Sequence, residues 1–192
     1  RPLSQRFGNL SQLISAKRCP SFQPNDKQWH AWGVKFPGSI LFLNLLIDRL
    51  PAMRFIHLVR DGRDMALSSQ QKLVQYYAAA FGLPREYSLE NSYLLWSKMN
   101  AWADDVARKR LPPQQRLVLR FEDLCTNPHT TIDRLLKFCR LPFSDPSVYD
   151  LPQPPETIGR WKQASSRFSH LDHNTLKRFG YTTTNSSAVG VS

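Results

Sequence analysis

FIHLVRDGRDMALSS, residues Phe55 to Ser69, runs as an apolar strand into Arg60, turns through Asp61-Gly62 and restarts as a helix carrying Ser68. This layout sets a guanidinium and a hydroxyl, eight positions apart, around one small space beside a helix N-terminus. Backbone N–H groups and the helix dipole favour negative charge there, and an arginine grips two oxygens at once, so the space suits a phosphate. Gly62 permits the tight turn. Each residue also has a plainer reading. Arg60 pairs with Asp61 or Asp64 on the surface, and Ser68 fills a small-residue position where helix meets sheet. Arg63 carries no assigned role and reads as solvated.

Outward from this stretch, strand-like and helix-like segments alternate. Ala31 to Phe36 reads as a short strand and Ser39 to Leu50 as a helix, opened by Pro37-Gly38-Ser39 and stopped before Pro51. Met53 to Val59 is apolar except for Arg54 and His57, the pattern of a strand buried on both faces. Asp64 to Tyr77 reads as a helix. Ser88 caps a long one with Leu89, Tyr93, Trp96, Met99, Ala103 and Val106 on its inner stripe. After Pro112-Pro113, Arg116 to Phe121 reads as a third strand and Thr130 to Arg140 as a helix behind it. Alternation without tight hairpins implies an α/β fold with a parallel sheet covered by helices. Ligands of such sheets bind beyond the C-terminal strand ends, where Lys35, Arg60 and Glu122-Asp123 fall. Residues 1–30 read as an irregular N-terminal segment, 31–181 as the α/β domain, and 182–192 as a polar, disordered tail.

With 192 residues, 41% of them hydrophobic and 21% charged, the chain suits one domain with a real core. Its longest apolar run, Ile40 to Ile47, is interrupted by Asn44 and is too short to span a bilayer. The three cysteines lack framework spacing and argue for reduced thiols in a cytoplasmic setting. Cys19 and Cys125 offer no metal-ligand spacing, and Cys139 shares a core stripe with Ile132, Leu135 and Leu136. The chain begins at Arg1 rather than Met, so the expectation is that upstream sequence, any targeting segment included, lies outside it. A net charge of +11 suits a polyanionic partner. Nucleic acid is the least favoured, because the cations form no basic helix or arm and the aromatics follow core periodicity.

The Arg60–Ser68 segment resembles the 3′-phosphate-binding motif of sulfotransferases that use PAPS (3′-phosphoadenosine 5′-phosphosulfate). In that family an arginine ends a core strand and a serine eight positions on reaches the same phosphate. Three further stretches follow the family's order. VKFPGSILFLNLL, Val34 to Leu46, is similar to the segment whose lysine, here Lys35, faces the transferring sulfuryl group. LRFEDLCTNPHTTIDRLLKF, Leu119 to Phe138, resembles the family's strand, acidic turn and helix. QPPETIGRW, Gln153 to Trp161, resembles the C-terminal loop that closes over the nucleotide. The likeness covers residues 31–181 and lies nearer the bacterial and tyrosylprotein-type branches than the cytosolic steroid and phenol enzymes.

What the resemblance implies is a P-loop-NTPase-like parallel sheet flanked by helices, with PAPS as co-substrate and no metal. The sulfuryl group would pass to a hydroxyl or amine of a small molecule, glycan or peptide. It assigns Lys35 to catalysis, Arg60 and Ser68 to the 3′-phosphate, and Arg160, Trp161 and Lys162 to the nucleotide. Arg160 beside Trp161 reads equally as a cation–aromatic clamp or as Trp161 anchoring the C-terminal segment in the core. The departures are specific. Nothing before Lys35 resembles the first strand and its Gly/Ser-rich phosphosulfate loop, Phe121 stands where a tyrosine is usual, and no Arg-Lys-Gly triplet precedes Gly159. A general base is not identified. Pro37 occupies the cytosolic branch's histidine position, His30 reads as a loop residue and His57 as core. Gln70–Tyr87, with Tyr76, Tyr77 and Phe81, packs either an acceptor or the core. The missing loop keeps a rival open: a non-catalytic nucleotide- or polyanion-binding relative of the fold.

Overall fold

Two five-residue strands, β1 (Phe55–Val59) and β2 (Arg116–Arg120), lie parallel in the register Phe55↔Arg116 to Val59↔Arg120. The computed structural model describes residues 33–141 and 146–183. The chain divides into Arg1–Val34 and Lys35–Ser192, and every element named here belongs to the second unit. Cys19, His30 and residues 184–192 of the expected tail lie outside the described residues.

Residues 33–36 carry no regular structure, in place of the strand expected over Ala31–Phe36, whose first two residues are outside the described ones. Val34 and Phe36 are 74% and 54% exposed, so little burial offsets the entropy of fixing an unpaired extended backbone. Pro37, with its preset φ, opens a 3₁₀ turn over Pro37–Phe42 that continues as α1 (Leu43–Arg49). The β1 residues alternate. His57 and Val59 are buried, whereas Ile56 and Leu58 are 38% and 47% exposed, so the strand is not buried on both faces. Among the described residues helices cover one face of this narrow sheet along β1, and an apolar composition by itself does not report which faces are covered.

After β1 the chain forms α2 (Gly62–Ala66), breaks, and resumes as α3 (Lys72–Tyr77). One continuous helix was expected there. The break is held by Gln71, whose Nε2 lies 3.2 Å from the Met65 carbonyl, 3.3 Å from Ala66 and 2.5 Å from Ser68. A side chain takes the carbonyls that a further turn of helix would have used.

The long helix α4 (Leu89–Arg110) organises the core. Ser88 Oγ accepts the Asn91 N–H at 2.9 Å, and Arg108, Lys109 and Arg110 complement the dipole at the far end. The helix feeds three apolar clusters: Tyr93 and Trp96 join Val59, Trp161, Phe168 and Leu176, Ala103 and Ala107 join Leu43 and Ile47, and Leu95 and Met99 join Val74 and Ala78. It therefore buries several faces rather than one stripe. After β2 come α5 (Phe121–Thr126), α6 (Pro128–Cys139), a 3₁₀ segment over Arg160–Phe168 and α7 (Asn174–Arg178). The result is a mixed α/β unit with a small parallel sheet. Among the described residues no helix is long and apolar enough to cross a membrane.

Candidate functional site

The parallel register brings Arg60, just past β1, level with Phe121, just past β2. The Arg60 guanidinium lies 5.1 Å from the Phe121 ring centroid, and its Nη2 donates to Thr157 Oγ1 at 2.7 Å. Trp96 Nε1 donates to the Arg60 carbonyl at 2.9 Å, fixing the backbone where strand becomes turn. Arg60 forms no ion pair with Asp61 or Asp64 among the described residues, because both carboxylates are engaged elsewhere.

Asp61 caps α2. Its Oδ1 accepts the Arg63 N–H at 2.9 Å and Arg63 Nε at 3.0 Å, and Oδ2 accepts Arg63 Nη2 at 2.6 Å. Arg63 is thus not solvated. It is 1% exposed, and its guanidinium carbon sits 3.2 Å from the Trp161 ring centroid. A buried arginine is stable there because two carboxylate oxygens and an aromatic face replace its water. Gly62 also differs from expectation. Its φ is not positive, and a Cβ at this position would overlap the Trp96 ring. Glycine is required by the close approach of Trp96 rather than by the turn.

Asp64, 1% exposed, gathers the C-terminal loop. Its Oδ2 accepts the Gly159 N–H at 2.6 Å and its Oδ1 the Trp161 N–H at 3.0 Å, while its own carbonyl accepts Arg160 Nη2 at 2.6 Å. Burial pushes the Asp64 carboxyl above its ordinary value, opposed by those two backbone donors. Gly159 adopts φ 77°, the left-handed conformation that lets the loop turn into the 3₁₀ segment. Arg60 and Arg160 therefore converge on one region, tied through Thr157 and Asp64. The Nε atoms of both arginines are buried without a hydrogen-bond partner among the described residues.

The remaining candidates make other contacts. Ser68 follows the end of α2 rather than lying in a helix, and its Oγ accepts the Gln70 N–H at 3.2 Å. No hydrogen bond joins it to Arg60. Trp161 is 6% exposed in the core cluster, and the cation on its ring is Arg63 rather than Arg160. Lys162 is exposed, with its Cε 3.8 Å from where a Gly159 Cβ would stand. Lys35 is exposed and is joined by no hydrogen bond to the other candidates. Of the acceptor-loop residues, Tyr76 is 67% exposed, whereas Tyr77 and Phe81 pack on the third core cluster.

Glu122 welds the two strand ends. Its Oε1 accepts the Asp61 N–H at 2.9 Å, and its Oε2 lies 2.8 Å from the Tyr181 hydroxyl, itself 3.0 Å from the Val59 carbonyl. Burial and this carboxylate together raise the phenol far above its usual range, so Tyr181 stays protonated and serves as a donor. His57 is a core residue: its Nε2 meets Asn100 Oδ1 at 2.8 Å, and burial lowers its pKa. Sequence reasoning places Glu122 at a strand end but does not find Asp64, Thr157 or Tyr181 as site-builders. The one local signal is that Asp61 and Asp64 both fall where a short helix begins, as caps do.

A family model described as "Sulfotransferase family" matches residues 7–145. Comparison with curated proteins and with solved structures found no match.

Proposed function

The chain belongs to the sulfotransferase family, and on that premise we propose that it moves a sulfuryl group from PAPS to a hydroxyl or amine acceptor on a P-loop-like fold. The observation that carries the reading is the pair of arginines beyond β1. Arg60 and Arg160 are donor-only groups that converge through Thr157 and Asp64, and each, like Arg116 and Arg120, has a buried Nε that lacks a hydrogen-bond partner among the described residues. A donor set of this kind fits the oxygens of an anion and nothing cationic. When bound, PAPS supplies the activated sulfate. Arg60 would hold the 3′-phosphate with Ser68 beside it, and Arg160, Trp161 and Lys162 would form the nucleotide's C-terminal wall.

Sulfuryl transfer resembles phosphoryl transfer, an in-line displacement with a loose transition state, so the protein positions the partners and stabilises charge on the leaving oxygen. Lys35, exposed at the head of the Pro37 turn, is a mobile point charge suited to that second task. Lys35→Ala is expected to lower kcat on the order of 10²–10³-fold while leaving nucleotide affinity little changed. Labelled sulfate transferred from PAPS to a panel of hydroxyl and amine acceptors tests the activity directly. Turnover supports the enzyme reading. Nucleotide binding without turnover favours a non-catalytic relative.

A further inference from the structure

We propose that Asp64 is a positioning residue whose carboxylate latches the Thr157–Trp161 loop onto the Arg60 turn, so that nucleotide binds tightly only when this loop is docked. The inference rests on the reading of Arg60 and Arg160 as nucleotide contacts. It adds a residue that touches no ligand itself.

Asp64 meets this loop at three points 95 to 97 positions away in sequence: the Gly159 N–H, the Trp161 N–H and the Arg160 guanidinium. Both carboxylate oxygens are used, one for each N–H. One further bond ties the loop, donated by Arg60 Nη2 to Thr157 Oγ1. Around this core stand Arg60 at the end of β1, Asp61 and Arg63 in the turn into α2, and Arg160 and Trp161 at the start of the 3₁₀ segment. Asp61 and Arg63 neutralise each other, leaving Asp64 as the carboxylate available to the loop. Its geometry is selective. A carboxylate accepts from two backbone N–H groups at once, whereas an amide presents one oxygen to one of them and an N–H₂ to the other. Trp161 anchors the far end of the segment in the core, whereas the chain leading into it is open. Residues 153–156 are exposed, and Gly159, at φ 77°, is the pivot on which the loop turns.

The test uses the full chain with adenosine 3′,5′-bisphosphate as probe. Calorimetric affinity is measured for the parent and for Asp64→Asn, with amide hydrogen exchange followed across residues 157–161 in each. The expected result is a loss of affinity on the order of tenfold or more in Asp64→Asn, together with faster exchange at Gly159 and Trp161. Exchange in α4 should stay unchanged. Thr157→Val, which removes a tie on the loop's other side, keeps the test open should Asp64→Asn fail to fold. It should shift affinity and local exchange the same way, by a smaller factor. Parent-like affinity in variants whose loop exchange has accelerated would overturn the latch and leave the nucleotide reading standing. Failure of the parent itself to bind the bisphosphate would overturn both.

Discussion

At the residue scale, the turn after β1 is built from charged side chains that satisfy one another rather than solvent. The Arg63–Asp61 pair is fully desolvated, with side chains 2% and 5% exposed. Removing one partner strands a buried charge, so Arg63→Met is expected to cost about 3–5 kcal/mol in urea unfolding. Gly62→Ala tests a different physics at the next position. Its methyl group would overlap the Trp96 ring, and the expected cost is about 1–3 kcal/mol from forced repacking. Equal stability of parent and Gly62→Ala would show that Trp96 has room to move. His57 gives the pH dependence. Its folded pKa is lowered by burial, so below the ordinary imidazole value of 6.5 the unfolded chain takes up a proton that the folded chain refuses. The unfolded state then binds more protons, and stability falls as pH falls, by at most about 1.4 kcal/mol per pH unit from this group. His57→Gln should flatten that portion of the stability–pH curve.

At the element scale, what sequence shows and what it conceals divide along physical lines. The caps and stops of α4 are legible because each is a local chemical event: the Ser88 hydroxyl on an N–H, the cationic last turn, the Pro112-Pro113 stop. The parallel pairing of β1 with β2 is legible from the alternation of strand and helix. The break between α2 and α3 is not, since it depends on Gln71 reaching back to three carbonyls and outward to the Ser92 hydroxyl at 2.7 Å. The burial of Arg63 is concealed for a similar reason, because its aromatic partner lies 98 positions away. The place of Arg60 at a strand end can be read from sequence, whereas the contacts of Asp64 depend on a loop that only tertiary structure brings near. Asp104 shows the same kind of long-range dependence. It is 2% exposed on α4, and its Oδ2 accepts Arg108 Nε at 2.6 Å and Arg178 Nε, from α7, at 2.7 Å. Asp104→Ala is expected to destabilise by about 1.5–3 kcal/mol, because the arginines it leaves are solvent-accessible and Arg178 keeps Asp105. Hydrogen exchange should show α7 losing protection first; retained protection there would mean that Leu176 and Phe179 hold the helix alone.

At the scale of the whole molecule, 26 Lys+Arg stand against 15 Asp+Glu. The carboxylates around the β1 and β2 ends are spent internally, Asp61 on Arg63, Asp64 on backbone amides and Glu122 on the Asp61 amide and Tyr181. Arg60 and Arg160 retain unmatched donors beside them. The chain's membership of the sulfotransferase family points to sulfuryl transfer, and the proposed role of Arg60 is the claim to test. The most direct measurement is the thermal unfolding of the parent and of Arg60→Ala with adenosine 3′,5′-bisphosphate at a hundredfold excess over Kd. The parent should gain about 2.7 kcal/mol, a rise in Tm of about 5–10 °C, and Arg60→Ala should gain almost none. No shift in the parent, or an equal shift in both proteins, would contradict the claim that Arg60 holds the 3′-phosphate.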